Sequence, residues 1–200
     1  MCHAATYSYA GLGSRSAVRG VQATIAPTAA PNVRDGHVAG WVGVGGYGVG
    51  PNGTDEWLQV GLMASSGSTL RLYYEVTRPG HQPVQRTVRP EIAVGERHHF
   101  AVVEVAHRPS WWSVRLDGRA VGAPIQLVRS HGRLNAQVMG ESYDGLSEGA
   151  CNLYSFSFRQ VSLAKPRASV WSAPGPFELF QDPFYKLLRI SPSSFLAASV

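Results

Sequence analysis

Two short runs carry polar groups that a strand of their kind does not need. Residues 57–62 read WLQVGL and residues 135–143 read NAQVMGESY. The first places the neutral amide of Gln59 in an apolar run, and the second places the carboxylate of Glu141 in another. A carboxylate on a partly dry face can hold a water and take its proton. An amide N–H can donate to an oxygen that gains negative charge during a reaction. Both runs read as strands, in which residues two apart share a face. Leu58, Val60 and Leu62 then form one face, with Trp57, Gln59 and Gly61 on the other. In the second run Ala136 and Val138 oppose Gln137, Met139 and Glu141. A third run, LRLYYEVT, separates Tyr73, Glu75 and Thr77 from Leu72, Tyr74 and Val76. Each strand thus has an aliphatic face for a core and a second face mixing aromatic and polar groups. Such a face suits a groove for an extended peptide or glycan. It also suits plain contact with water, and alternation alone does not separate the two.

The elements around these runs are strands and turns. The chain has 200 residues, 22 of them Gly and 13 Pro, and only 16% are charged. Its length fits one sizeable domain. The SSGS stretch between WLQVGLMA and LRLYYEVT marks a hairpin, and Asp117-Gly118 in WWSVRLDGRAV marks another. The second hairpin sets Val114 against Val121 and Leu116 against Arg119. Short strands at close spacing, with no helix pattern between them, predict an all-β antiparallel β-sandwich over residues 21–164. Residues 1–20 read as a loose N-terminal arm. Residues 165–200 form a Pro- and aromatic-rich C-terminal extension, read either as a tail or as carrying a short helix over 183–190, because Asp182-Pro183 resembles an N-cap followed by proline.

Other signals point away from chemistry. The formal charge is +5, but the arginines are scattered, so neither nucleic acid nor a membrane is expected as a partner. No apolar run is long enough to span a bilayer. With two cysteines, Cys2 and Cys151, a cysteine metal site is excluded by count, and a disulfide or two thiols stay open. His98 and His99 are adjacent, point to opposite faces of a strand, and cannot share one metal. No metal and no cofactor is expected. Gly145-Leu146-Ser147-Glu148-Gly149 matches a serine-nucleophile pattern but lacks the strand-to-helix context that pattern needs. The glycines of 45–56 form a flexible loop, a flap candidate, and lack the Lys-Ser/Thr of a phosphate loop.

Four motifs in order carry a resemblance. They are Trp41-Val42-Gly43-Val44, Leu58-Gln59-Val60-Gly61, Tyr73-Tyr74-Glu75 and Asn135-Ala136-Gln137-Val138-Met139-Gly140-Glu141. Over roughly residues 40–143 the chain resembles the glutamic peptidases, or eqolisins. The resemblance implies a sandwich of the concanavalin A-like, jelly-roll type and a catalytic pair formed by Gln59 and Glu141. It implies a substrate groove lined by Trp41, Trp57, Tyr73, Glu75 and Gln137, and endopeptidase activity on a polypeptide substrate. It further suggests a secreted protein, although the start MCHAATYSYA is no signal peptide; a monomer is expected. Two positions depart from the family pattern: Gly45 and Gln137 stand where it has acidic residues. The other reading is a non-catalytic sandwich that binds a glycan or a protein through the same face.

Overall fold

The computed structural model describes residues 6–145, 151–165, 171–172 and 177–200. Cys2 and most of the serine-nucleophile pattern, Glu148 included, lie outside the described residues. The described chain forms β1 (Tyr7–Ala17), β2 (Gly20–Pro27), β3 (His37–Gly46), β4 (Glu56–Ser65), β5 (Arg71–Thr77), β6 (Val84–Arg89), β7 (His98–Glu104) and β8 (Trp111–Leu116). It continues with β9 (Arg119–Ala120), β10 (Ile125–Gln126), β11 (Asn135–Tyr143), β12 (Ser155–Ala164), β13 (Trp171–Ser172), β14 (Phe177–Gln181), β15 (Tyr185–Ser191) and β16 (Ser194–Ser199). Among the described residues there is no α-helix.

Two antiparallel sheets face each other. One runs β14-β1-β11-β3-β4-β5-β6, and the other runs β10-β8-β7-β2-β12-β16-β15, with β13 beside β12 and β9 beside β8. Alternation explains which side of each strand is dry. Leu58, Val60 and Leu62 of β4, Val38, Val42 and Val44 of β3, and Ala136 and Val138 of β11 point between the sheets. The second sheet answers with Ile25, Phe100, Trp112, Phe156, Phe158 and Phe195, all buried. Burying each large apolar side chain contributes roughly 1.5–3 kcal/mol. The core tryptophan keeps its polar handle satisfied, since Trp112 Nε1 donates to Ser130 Oγ at 2.8 Å. The expected hairpins are present: β4 pairs with β5, and Leu116 pairs with Arg119 across the Asp117-Gly118 turn.

The opposite face of the first sheet carries its own small apolar cluster of Ala39, Trp41, Met63, Tyr73 and Met139. This layer exists because Gly61 lets two strands approach closely. A Cβ on Gly61 would sit 2.0 Å from the Gly40 carbonyl oxygen and 2.7 Å from Trp41 Cα. Both obstacles are backbone, so nothing can swing aside. Gly61→Ala should therefore destabilise the fold by about 1–3 kcal/mol, read as a lowered thermal midpoint. An unchanged midpoint would contradict the close approach.

Two boundaries differ from expectation. The segment read as a loose arm contains β1, which pairs with β11 on one side and β14 on the other. Its small residues hide the strand pattern, because Gly11 and Gly13 are pressed against Met139 and Phe180 and leave no side chain to alternate. The C-terminal extension is part of the sandwich: β14 edges the first sheet, and β15 and β16 extend the second. Residues 185–190, inside the span considered for a helix, lie in β15. Asp182-Pro183 starts a turn instead. Tyr185 N donates to Asp182 O at 3.2 Å, and Phe184 has a φ of 70°, the positive φ a type II turn requires at its third residue. An Asx-Pro pair serves a turn start and a helix start equally well.

Candidate active site

The outward face of the first sheet holds a cleft of about 480 Å³. Its floor comes from β1, β11, β3, β4 and β5. Tyr47 and Asp55, from the glycine-rich segment after β3, line one part, and His81, Gln82 and Pro83, after β5, line another. Gln59 and Glu141 both line this cleft, together with Trp41, Trp57, Glu75 and Gln137.

Glu141 is positioned by strand register. It sits opposite Ala39 of β3 and Tyr9 of β1. His37 and Trp41 lie two residues either side of Ala39, on the same face, so both reach diagonally to the carboxylate. Trp41 Nε1 donates to Glu141 Oε2 at 2.8 Å, and His37 Nε2 lies 3.0 Å from Oε1. Glu141 is 5% exposed, so both carboxylate oxygens are held within a largely dry floor.

Gln59 lies opposite Gly43 on one side and Glu75 on the other. It is 7% exposed, and its Nε2 donates to the Tyr73 hydroxyl at 3.1 Å. Gly43 also faces Gln137 across β11, so Gln59, Gly43 and Gln137 form one row over three strands. Gln137 Nε2 donates to the Gly45 carbonyl at 3.1 Å. Gly45 has a φ of 96°, and a Cβ there would meet the Glu56 carbonyl oxygen at 2.1 Å. The local backbone therefore has no room for the acidic side chain that the motif comparison leads one to expect.

Glu75 accepts from Trp57 Nε1 at 3.0 Å and from Gln85 Nε2 at 3.4 Å. Burial pushes its carboxyl above the ordinary range; the Trp57 hydrogen bond opposes that, and the charge of Glu141 adds to it. A carboxyl raised in the folded state favours folding most below its unfolded value, and that contribution fades as pH rises through the raised one. Glu75→Gln should therefore match wild type in melting temperature near about pH 3.5 and exceed it progressively toward about pH 7. Parallel melting curves across that range would refute the assignment.

Hydroxyl groups ring the cleft. Burial pushes the Tyr7 hydroxyl up to about 12 and raises Tyr9 further, so both stay protonated donors at any working pH. Tyr9 and Tyr47 are hydrogen-bonded to each other, and Tyr47 packs on Trp57 with ring centroids 5.3 Å apart.

Tyr73 is the expected groove residue that does not line the cleft. It is 1% exposed and lies beneath the floor, where the extra bulk of its ring fills the apolar layer with Trp41 and Met139. Sequence reasoning missed Tyr7, Tyr9, His37, Tyr47 and Phe180, all of which line the cleft. His37 was recoverable, since it stands four residues before Trp41 and so shares its strand face. The Tyr7 and Tyr9 positions were hidden in the presumed arm.

No protein-family model and no curated protein matches the sequence. Solved structures do match. Scytalido-glutamic peptidase with a peptide-based transition-state analogue superposes with a TM-score of 0.68 at 17% identity, over 96% of this chain and 98% of that one. The same peptidase with a transition-state analogue inhibitor gives 0.69 at 16% identity over the same shares. The fold is that of the glutamic peptidases. SCP-B, an eqolisin-family peptidase in complex with the tripeptide Ala-Ile-His, superposes at 0.60 and 17% identity, over 96% and 98% of the two chains. The glutamic peptidase fold thus spans nearly the whole chain, β1 and the C-terminal strands included.

Proposed function

We propose that the protein is a glutamic-type endopeptidase that cleaves extended polypeptide in the cleft of the first sheet. One observation carries this reading: Gln59 and Glu141, far apart in the chain, line a single cleft on the glutamic peptidase fold. The solved relatives hold peptide-based or tripeptide ligands, which supports a peptide substrate.

In this mechanism Glu141 takes a proton from a water whose oxygen bonds to the scissile carbonyl carbon. The carbonyl oxygen gains the negative charge and accepts a hydrogen bond from the Gln59 amide. Collapse of the tetrahedral intermediate breaks the C–N bond, and the leaving amine takes the proton from Glu141. Gln59 already has a donor geometry, with Tyr73 as its resting acceptor. Trp57, Tyr9 and Tyr47 supply flat apolar walls and donors for a peptide backbone. An oxidising compartment suits the disulfide at Cys151, in keeping with export.

A second reading is favoured by Gly45 and Gln137, which stand where the resemblance implies acidic residues: a sandwich that grips a peptide or glycan without cleaving it. Incubation with an unstructured, quenched-fluorescent protein substrate from about pH 2 to 7 separates them. The peptidase reading expects new amino termini within the substrate. Tight binding with intact substrate at every pH would establish the second reading.

A further inference from the structure

The carboxylate of Glu141 is gripped by two side chains of a single strand. Trp41 holds one oxygen at 2.8 Å, and His37 stands 3.0 Å from the other. The His37 ring is itself fixed. It meets Tyr7 edge-on with centroids 5.9 Å apart, and lies tilted against Tyr143 at 5.6 Å. Its side chain is 22% exposed and lines the cleft. The groups that face it are Tyr7 from β1, Glu141 and Tyr143 from β11, and Glu75 from β5, whose carboxyl feels the histidine charge. On β4 its pairing partner Ser65 is neutral and accepts from Arg71 of β5 at 3.1 Å.

We propose that His37 is a positioning residue for the hydrolytic carboxylate: with Trp41 it anchors both oxygens of Glu141. This rests on the peptidase reading above. A carboxylate anchored at both oxygens cannot rotate, so its remaining lone pairs point in fixed directions, and a water held on one of them is aimed. Trp41 supplies a neutral donor at every pH. His37 supplies the second contact, from the same face of the same strand, to the oxygen that Trp41 leaves free.

Two substitutions test the anchoring. His37→Phe keeps a ring for Tyr7 and Tyr143 and removes the donor. His37→Gln keeps a neutral N–H at similar reach. His37→Phe should lower kcat about 10- to 100-fold with KM within about threefold of wild type. His37→Gln should restore kcat to within about threefold of wild type. Wild-type kcat in both variants would overturn the proposal, as would a loss confined to KM. A readout without turnover comes from the indole N–H resonance of Trp41, assigned by its disappearance in Trp41→Phe. That resonance should move or broaden in His37→Phe, where the carboxylate is free to turn, and return to its wild-type position in His37→Gln; a wild-type position in both variants would overturn the proposal. A resonance that moves in His37→Phe and returns in His37→Gln, in a protein that cleaves nothing, would support the anchoring and remove only the peptidase reading.

Discussion

Glu141→Gln should reduce kcat on a peptide substrate by about 10³-fold or more, with KM within about threefold. The substitution is nearly isosteric, so the packing against Ala39 and Tyr9 survives and Trp41 Nε1 still has an oxygen to donate to. What disappears is the ability to take a proton from water, because an amide is not a base in this pH range. A general base of this kind is worth about 10²–10⁴-fold. In the proposed mechanism the same group also returns the proton to the leaving amine, which places the expected loss toward the upper part of that range. Single-turnover and steady-state kinetics at the pH of maximal activity, with a thermal melt to confirm folding, make the measurement. A folded Glu141→Gln within tenfold of wild type would assign the chemistry elsewhere.

Gln59→Ala comes second in size, at about 10²–10³-fold in kcat, equivalent to about 2.7–4 kcal/mol of transition-state stabilisation for one lost donor. Gln59 is largely buried and hydrogen-bonded to Tyr73, so the variant also leaves that hydroxyl without its donor. Tyr73→Phe removes the hydroxyl while keeping the ring in its apolar layer, and so measures that side effect. Doubling the change with Glu141→Gln should cost little beyond Glu141→Gln alone, since an oxyanion donor has nothing to stabilise when no water is activated. Fully additive losses would show two groups acting in separate steps.

The strands that build the cleft were legible because one of their faces is uniformly aliphatic. Leu58, Val60 and Leu62 announce the core side of β4, and Gln59 then falls by period on the other side. The same logic places Gln137 and Glu141 on β11. The arrangement of partners was not legible. Nothing in the period of β3 states that β11 lies beside it in the register that puts Ala39 opposite Glu141, which is what delivers His37 and Trp41 to the carboxylate. β1 was lost because glycine packing replaces alternation in its middle. β15 was misjudged because Asp182-Pro183 opens turns and helices alike, and only the strand-pairing partner β16, with Phe195 and Ala197 buried, decides between them. Tyr73 had the right face and the wrong depth, which periodicity does not encode.

The wall of the cleft beside Glu141 is shared between distant parts of the polypeptide. Tyr9 lies on β1, whose other neighbour is β14, and the Tyr9 amide donates to the Asp182 carboxylate at 2.7 Å. Gly11 pairs with Phe180, itself part of the cleft lining. Because β14 follows β1 in the chain, this wall of the cleft is complete only once a strand made much later has joined β1.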